Sequence, residues 1–116
     1  MPKNFLFLLA LTVILVTGYF TLAMNARFSK VVSKVMIDTA VNQAKHTYRQ
    51  EKEKGRDFSS GPCLSDALLP DWVVDLAHNP RIAMDDLPEN QCPGFFEGRA
   101  HHFVELDLEG NLIRAQ

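Results

Sequence analysis

With 116 residues and a formal net charge of −2, the chain has room for one small domain beyond its apolar start, which excludes a large multi-layer enzyme core. The mild average conceals a polarised chain: Met1 to Asp57 holds nine Lys or Arg against four Asp or Glu (+5), and Phe58 to Gln116 holds three against ten (−7). Phosphate-backbone binding needs clustered Lys and Arg, so the acidic C-terminal half argues against nucleic acid as a partner.

The first predicted element covers 1–24. Phe5 to Met24 reads FLFLLALTVILVTGYFTLAM, twenty residues without a charge. At 1.5 Å per residue a helix of that length spans about 30 Å, the thickness of bilayer hydrocarbon. The lipid bilayer is therefore the first expected partner. A cleaved signal peptide is the alternative, with Lys3 as its n-region and Thr21-Leu22-Ala23 as a small-residue cleavage site. Tyr19 and Phe20 intrude on that site, whereas aromatic residues suit the membrane interface of an uncleaved anchor.

Orientation draws on opposed signals. The positive-inside count sets Lys3 and the terminal amine against Arg27, Lys30 and Lys34, which slightly opposes export of the C-terminal part. Cys63 and Cys92 both lie in Pro-rich loops, Gly-Pro-Cys and Gln-Cys-Pro-Gly, and suit a disulfide in an oxidising compartment. The reading favours a single-pass membrane protein with an extracytoplasmic head.

The second element, 25–57, is a helical stem. Asn25 to Lys54 contains no Pro or Gly, and Gly55 supplies a C-terminal stop, so the helix is expected to continue from the anchor. Phe28, Val32 and Val35 share one face. Ile37, Val41, Ala44 and Tyr48, spaced 4, 3 and 4, fall roughly opposite. Because the stripe changes sides, a long homodimeric coiled coil is not expected. The second face should pack under the chain's own head.

A hydrophobic helix running into an amphipathic one and then into a small disulfide-bearing head resembles a type IV pilin or pseudopilin, over roughly Phe5 to Tyr48. The resemblance implies an assembly subunit whose leader ends in Gly before a Phe, with a Glu at the fifth mature position. Here Asn4 precedes Phe5 and Leu9 stands where the Glu would be.

The third element, 58–116, is a small acidic α+β head. Leu64 to Leu69 reads as a short helix, and Asp71 to Ala77 as helix or strand. Leu87 to Gly94 reads as loop, given two prolines and a glycine. His102 to Asp107 and Leu112 to Arg114 alternate apolar and polar residues around a Gly-bearing turn, which predicts a C-terminal β-hairpin. Trp72, Val74, Phe95, Phe96, Phe103, Leu106 and Ile113 are the expected core, packed with the stem.

Candidate chemistry is sparse. Cys63, Cys92, His78, His101 and His102 carry zinc-ligand side chains, and the metal candidates among the histidines are His78, His101 and His102. Zinc modules use close ligand pairs, whereas these cysteines are far apart and the adjacent His101 and His102 would point to opposite faces of a strand. A Cys92 nucleophile with His78 or His101 as base lacks a local signature. Asp85-Asp86, Glu89, Glu97, Glu105 and Asp107 read as solvated surface, and Asp107-Leu108-Glu109-Gly110 reads as turn chemistry because it fails the calcium-loop pattern. No catalytic or cofactor-binding residue and no cofactor are assigned. The sequence thus points to a membrane-tethered interaction or structural module with a protein partner. A pilin-like assembly subunit and a small metal-binding protein or enzyme are the alternatives.

Overall fold

A computed structural model describes residues 2–116, with Val32 in its backbone only, so the expected place of the Val32 side chain lies outside the described residues. The chain divides into two units, Met1–Val35 and Met36–Gln116. Helix α1 runs unbroken over Lys3–Glu53, as a stretch without an internal proline allows. It closes with a paired exit in which the Gly55 N–H donates to the Lys52 carbonyl and the Arg56 N–H to the Glu51 carbonyl. Gly55 sits at φ +79, in the left-handed region where only glycine is free of a Cβ penalty.

In the first unit α1 is without a charge from Phe5 to Met24 and gains Arg27, Lys30 and Lys34 beyond it. From Phe5 to Met24 each residue except the half-buried Ala23 is exposed. Its threonines keep their hydroxyls within the helix: Thr12 donates to the Leu9 carbonyl, Thr17 to Val13 and Thr21 to Thr17. By length and composition this helix is apolar enough to cross a membrane, properties that a signal sequence shares.

The second unit builds a four-stranded sheet against the end of α1. Its strands are β1 (Cys63–Leu69), β2 (Trp72–Leu76), β3 (His102–Leu106) and β4 (Leu112–Ala115), in the spatial order β1-β2-β3-β4. The outer pairs are antiparallel and the central β2–β3 pair is parallel. A parallel pair cannot be joined by a tight turn, and residues 77–101 form the crossover, with two 3-10 turns (Ala83–Asp86 and Pro88–Asn90) and a one-turn helix α2 (Pro93–Phe96).

Strand alternation then gives the sheet two buried faces. One carries Leu64, Leu68, Trp72, Val74, Leu76, Val104 and Leu106 against Ala40, Ala44 and Tyr48 of α1, flanked by Ile37 and Val41. The stripe spaced 4, 3 and 4 packs on this face as its periodicity predicts, and the small side chains of Ala40 and Ala44 admit close approach. The Tyr48 hydroxyl donates to the Leu108 carbonyl at 2.7 Å, fastening α1 to the β3–β4 turn. In that turn the Asp107 carboxylate accepts from the backbone N–H groups of Glu109 and Asn111, the self-capping expected of such a loop. The opposite face carries Val73 and Phe103 with Cys92 and Ala100 of the crossover.

Three expectations are corrected. Leu64 to Leu69 is strand, not helix. Leu87 to Gly94 is not plain loop, since it contains the second 3-10 turn and the start of α2. Of the expected core, Trp72, Val74, Phe103 and Leu106 are buried and Ile113 is half-buried, but Phe95 is 42% exposed and Phe96 76%. A single turn of helix at the surface cannot turn two consecutive rings inward. The Cys63 and Cys92 sulfurs lie at disulfide-bonding distance with Cα atoms 4.9 Å apart, pinning the crossover to β1. Arg56 also reaches β1, donating to the Cys63 and Leu64 carbonyls at 2.7 and 2.9 Å.

Candidate functional site

The sheet face turned away from α1 holds the most unusual chemistry. In the parallel register Asp75 of β2 lies opposite Glu105 of β3, and both project on the same face as Val73 and Phe103. Glu105 is in turn paired with Arg114 of β4. The crossover completes a pocket of about 90 Å³ by adding Arg81, Gln91, Cys92 and Phe95. Phe95 meets Phe103 edge to face with ring centres 5.0 Å apart.

Glu105 is only 6% exposed and is well served: Arg81 Nη1 donates to its Oε2 at 3.0 Å, and Arg114 Nε lies 3.5 Å from its Oε1. Arg81 also donates through Nε to Asp86 at 3.0 Å and through Nη2 to the Asp85 carbonyl at 3.4 Å. The expectation that Glu105 and Asp85 are solvated surface is therefore overturned. Both are buried, because the crossover covers a sheet face that an isolated hairpin would leave wet.

Asp75 is the exception. Its Oδ1 is shut off from solvent and has no hydrogen-bond partner among the described residues. Burial first, and then the neighbouring Glu105 carboxylate, push its acid group up to about 8. An unfolded aspartate titrates near 3.9. Between about pH 4 and about pH 8 the folded state therefore holds a proton that the unfolded chain has released, and stability falls as pH rises through that window. Chemical denaturation across the pH range should show a loss of roughly 5–6 kcal/mol towards the alkaline end. Asp75→Asn should flatten the profile, and a slope that persists in that variant would assign the effect to another group.

Asp85 shows the opposite balance. Burial would raise it, but the Ile82 N–H at 2.9 Å, the His78 ring Nδ1 at 2.8 Å and the His78 N–H at 3.1 Å outweigh burial and hold its carboxyl below the usual range. His78 is thereby engaged in fastening the crossover. His101 and His102 are placed together on Asp71: His101 donates its backbone N–H to Oδ1 at 2.9 Å and its Nδ1 lies 2.6 Å away, while His102 Nε2 is 3.6 Å from Oδ2. The His101 hydrogen bond lowers Asp71. His102 also stacks on Trp72, with ring centres 4.7 Å apart.

The three candidate metal ligands thus divide between two carboxylates, His78 on Asp85 and the other two on Asp71. Among the described residues the one close group of three such ligands is Cys63, Asp66 and Cys92. It contains no histidine, and its two sulfurs are at bonding distance from each other. With Cys92 in that pair, no described cysteine is free, and the thiolate needed for nucleophilic attack is not at hand.

Sequence reasoning missed Asp75, Arg81 and Arg114 as a cluster. The available signal was Asp75 inside the apolar run Trp72-Val73-Val74-Asp75-Leu76, a charge in a strand that reads as buried on both faces. Comparison of the chain with known protein families, with curated proteins and with solved structures finds no match.

Proposed function

We propose that this chain is a single-pass membrane protein whose N-terminal helix spans the bilayer and whose disulfide-closed head stands outside the cytoplasm as an interaction or structural module. One observation carries the reading: from Phe5 to Met24 the helix is apolar and exposed around its whole circumference. A helix apolar on every side needs either a protein interior or a lipid one, and none of its most apolar stretch is buried in this chain. The Cys63–Cys92 pair supports an oxidising side for the head.

Membrane-impermeant maleimide labelling of intact and permeabilised cells, with and without prior reduction, tests topology directly. Labelling of intact cells only after reduction is the expected outcome. Labelling that requires permeabilisation and no reductant would place free thiols in the cytoplasm and overturn the reading.

A pilin-like assembly subunit is a second reading, favoured by the way the end of one long helix packs on one face of a four-stranded sheet. It requires a mature chain beginning at Phe5, so intact mass with Met1 to Asn4 retained would sink it.

A further inference from the structure

The pocket between β2, β3 and the crossover contains a carboxyl oxygen without a hydrogen-bond partner among the described residues. Every guanidinium nitrogen of Arg81 is committed elsewhere, to Asp86, to Glu105 and to the Asp85 carbonyl. Arg114 lies with its guanidinium carbon 5.1 Å from the Phe103 ring centre and its Nε towards Glu105. Asp75, on the same wall, has an Oδ1 with no partner among the described residues. Carboxylate torsions are soft, so a modest rotation of that group presents either oxygen to the pocket.

We propose that this pocket receives the cationic tip of a basic side chain from a protein partner, a guanidinium or alkylammonium group held between the Asp75 carboxylate and the half-open ring of Phe95. For the origin of that group, the proposal rests on the reading of the head as an interaction module. Several features select this chemistry. A hard metal ion needs six or more oxygen ligands, whereas here one of the two carboxylates is already held by arginines, Gln91 is the one other polar side chain, and Val73, Phe95 and Phe103 are apolar. An organic cation instead gains from the faces of aromatic rings. The excess of seven negative charges over Phe58 to Gln116 steers a basic partner towards the head. The exposed part of the Phe95 ring supplies apolar surface for the residues on either side of the inserted one.

The groups facing Asp75 are Glu105 from β3, Arg114 from β4, and Arg81 and Asp85 from the crossover. The cysteine pair closing the β1 side does not titrate, and α2 contributes no ionisable group. Cation binding should release the proton that Asp75 holds, so affinity should rise with pH.

The test is a titration of the full chain in lipid nanodiscs with methylguanidinium, methylammonium and the amide of N-acetylarginine, at constant ionic strength. Val73, Gln91 and Phe103 resonances and calorimetric proton release are the readouts. Expected are saturable shifts with affinity on the order of 50- to 100-fold higher at about pH 9 than at about pH 6, lost in Asp75→Asn and kept in Glu89→Gln. Absence of saturable shifts at the higher pH, or unchanged binding in Asp75→Asn, would overturn the proposal. The arginine amide should bind more tightly than methylguanidinium through the flanking apolar surface, and equal affinities would overturn the partner side chain as the source. Maleimide labelling reports independently on topology, so a cytoplasmic head with a binding pocket and an exported head with an empty one are distinguishable results.

Discussion

Reduction of the Cys63–Cys92 pair should lower the stability of the head by about 3.5 kcal/mol, the chain-entropy value for closing a loop of this length. For a unit of this size that corresponds to a fall in melting temperature of roughly 15–25 °C. The pair matters beyond its loop entropy, because it holds the crossover, Ala100 included, down on the second face of the sheet, where Val73 and Phe103 are otherwise covered by short turns. A double Cys63→Ser, Cys92→Ser variant compared with the wild type, each with and without reductant, isolates the effect. The expected pattern is a large reductant-dependent shift in the wild type and none in the variant. Equal melting temperatures in all four samples would show that the two faces of the sheet hold without the bond.

The second large effect is expected at Gly110. It sits at φ +89, and a Cβ built there would lie 2.6 Å from Cε1 of Tyr48. Tyr48 is buried and fixed at its hydroxyl to the Leu108 carbonyl, so the ring has nowhere to retreat without breaking the tie between α1 and the β3–β4 turn. Left-handed backbone costs a side chain about 1–2 kcal/mol and overpacking a further 1–3. Gly110→Val should therefore destabilise the head by roughly 2–5 kcal/mol in urea denaturation. Gly98 has a similar positive φ but open space around it, and Gly98→Ala should show only the backbone part. Comparable losses at the two positions would mean that contact with Tyr48 is unimportant.

The parts of the fold readable in the sequence are those in which local pattern and tertiary packing agree. The switch of apolar stripe at Ile37 marks where α1 begins to bury a face, and Gly55 marks where it ends. The terminal hairpin follows from alternation around Gly110. β1 reads as helix because Leu64 and Leu68 are four apart, a spacing that suits one face of a helix and one face of a strand equally; pairing with β2 decides the matter, and that is not local. Phe95 and Phe96 read as core because hydrophobicity alone does not distinguish a core ring from one on the rim of a pocket. The site itself is illegible for a topological reason. Asp75 and Glu105 meet only because β2 and β3 are parallel neighbours, and their burial depends on a 77–101 crossover whose path no periodicity encodes.

Arg56 has a consequence for how copies of this chain can associate. A sheet grows indefinitely only if both of its outer strands can accept a newcomer. On β1, which among the described residues neighbours β2 alone, the carbonyls of Cys63 and Leu64 are already occupied by the Arg56 guanidinium, and a docking strand would have to evict a charged group that itself lies near Glu51. The other margin, β4, is only four residues long. Propagation through strand addition is thus obstructed on one side and brief on the other, which hinders copies of this chain from zipping into fibrils.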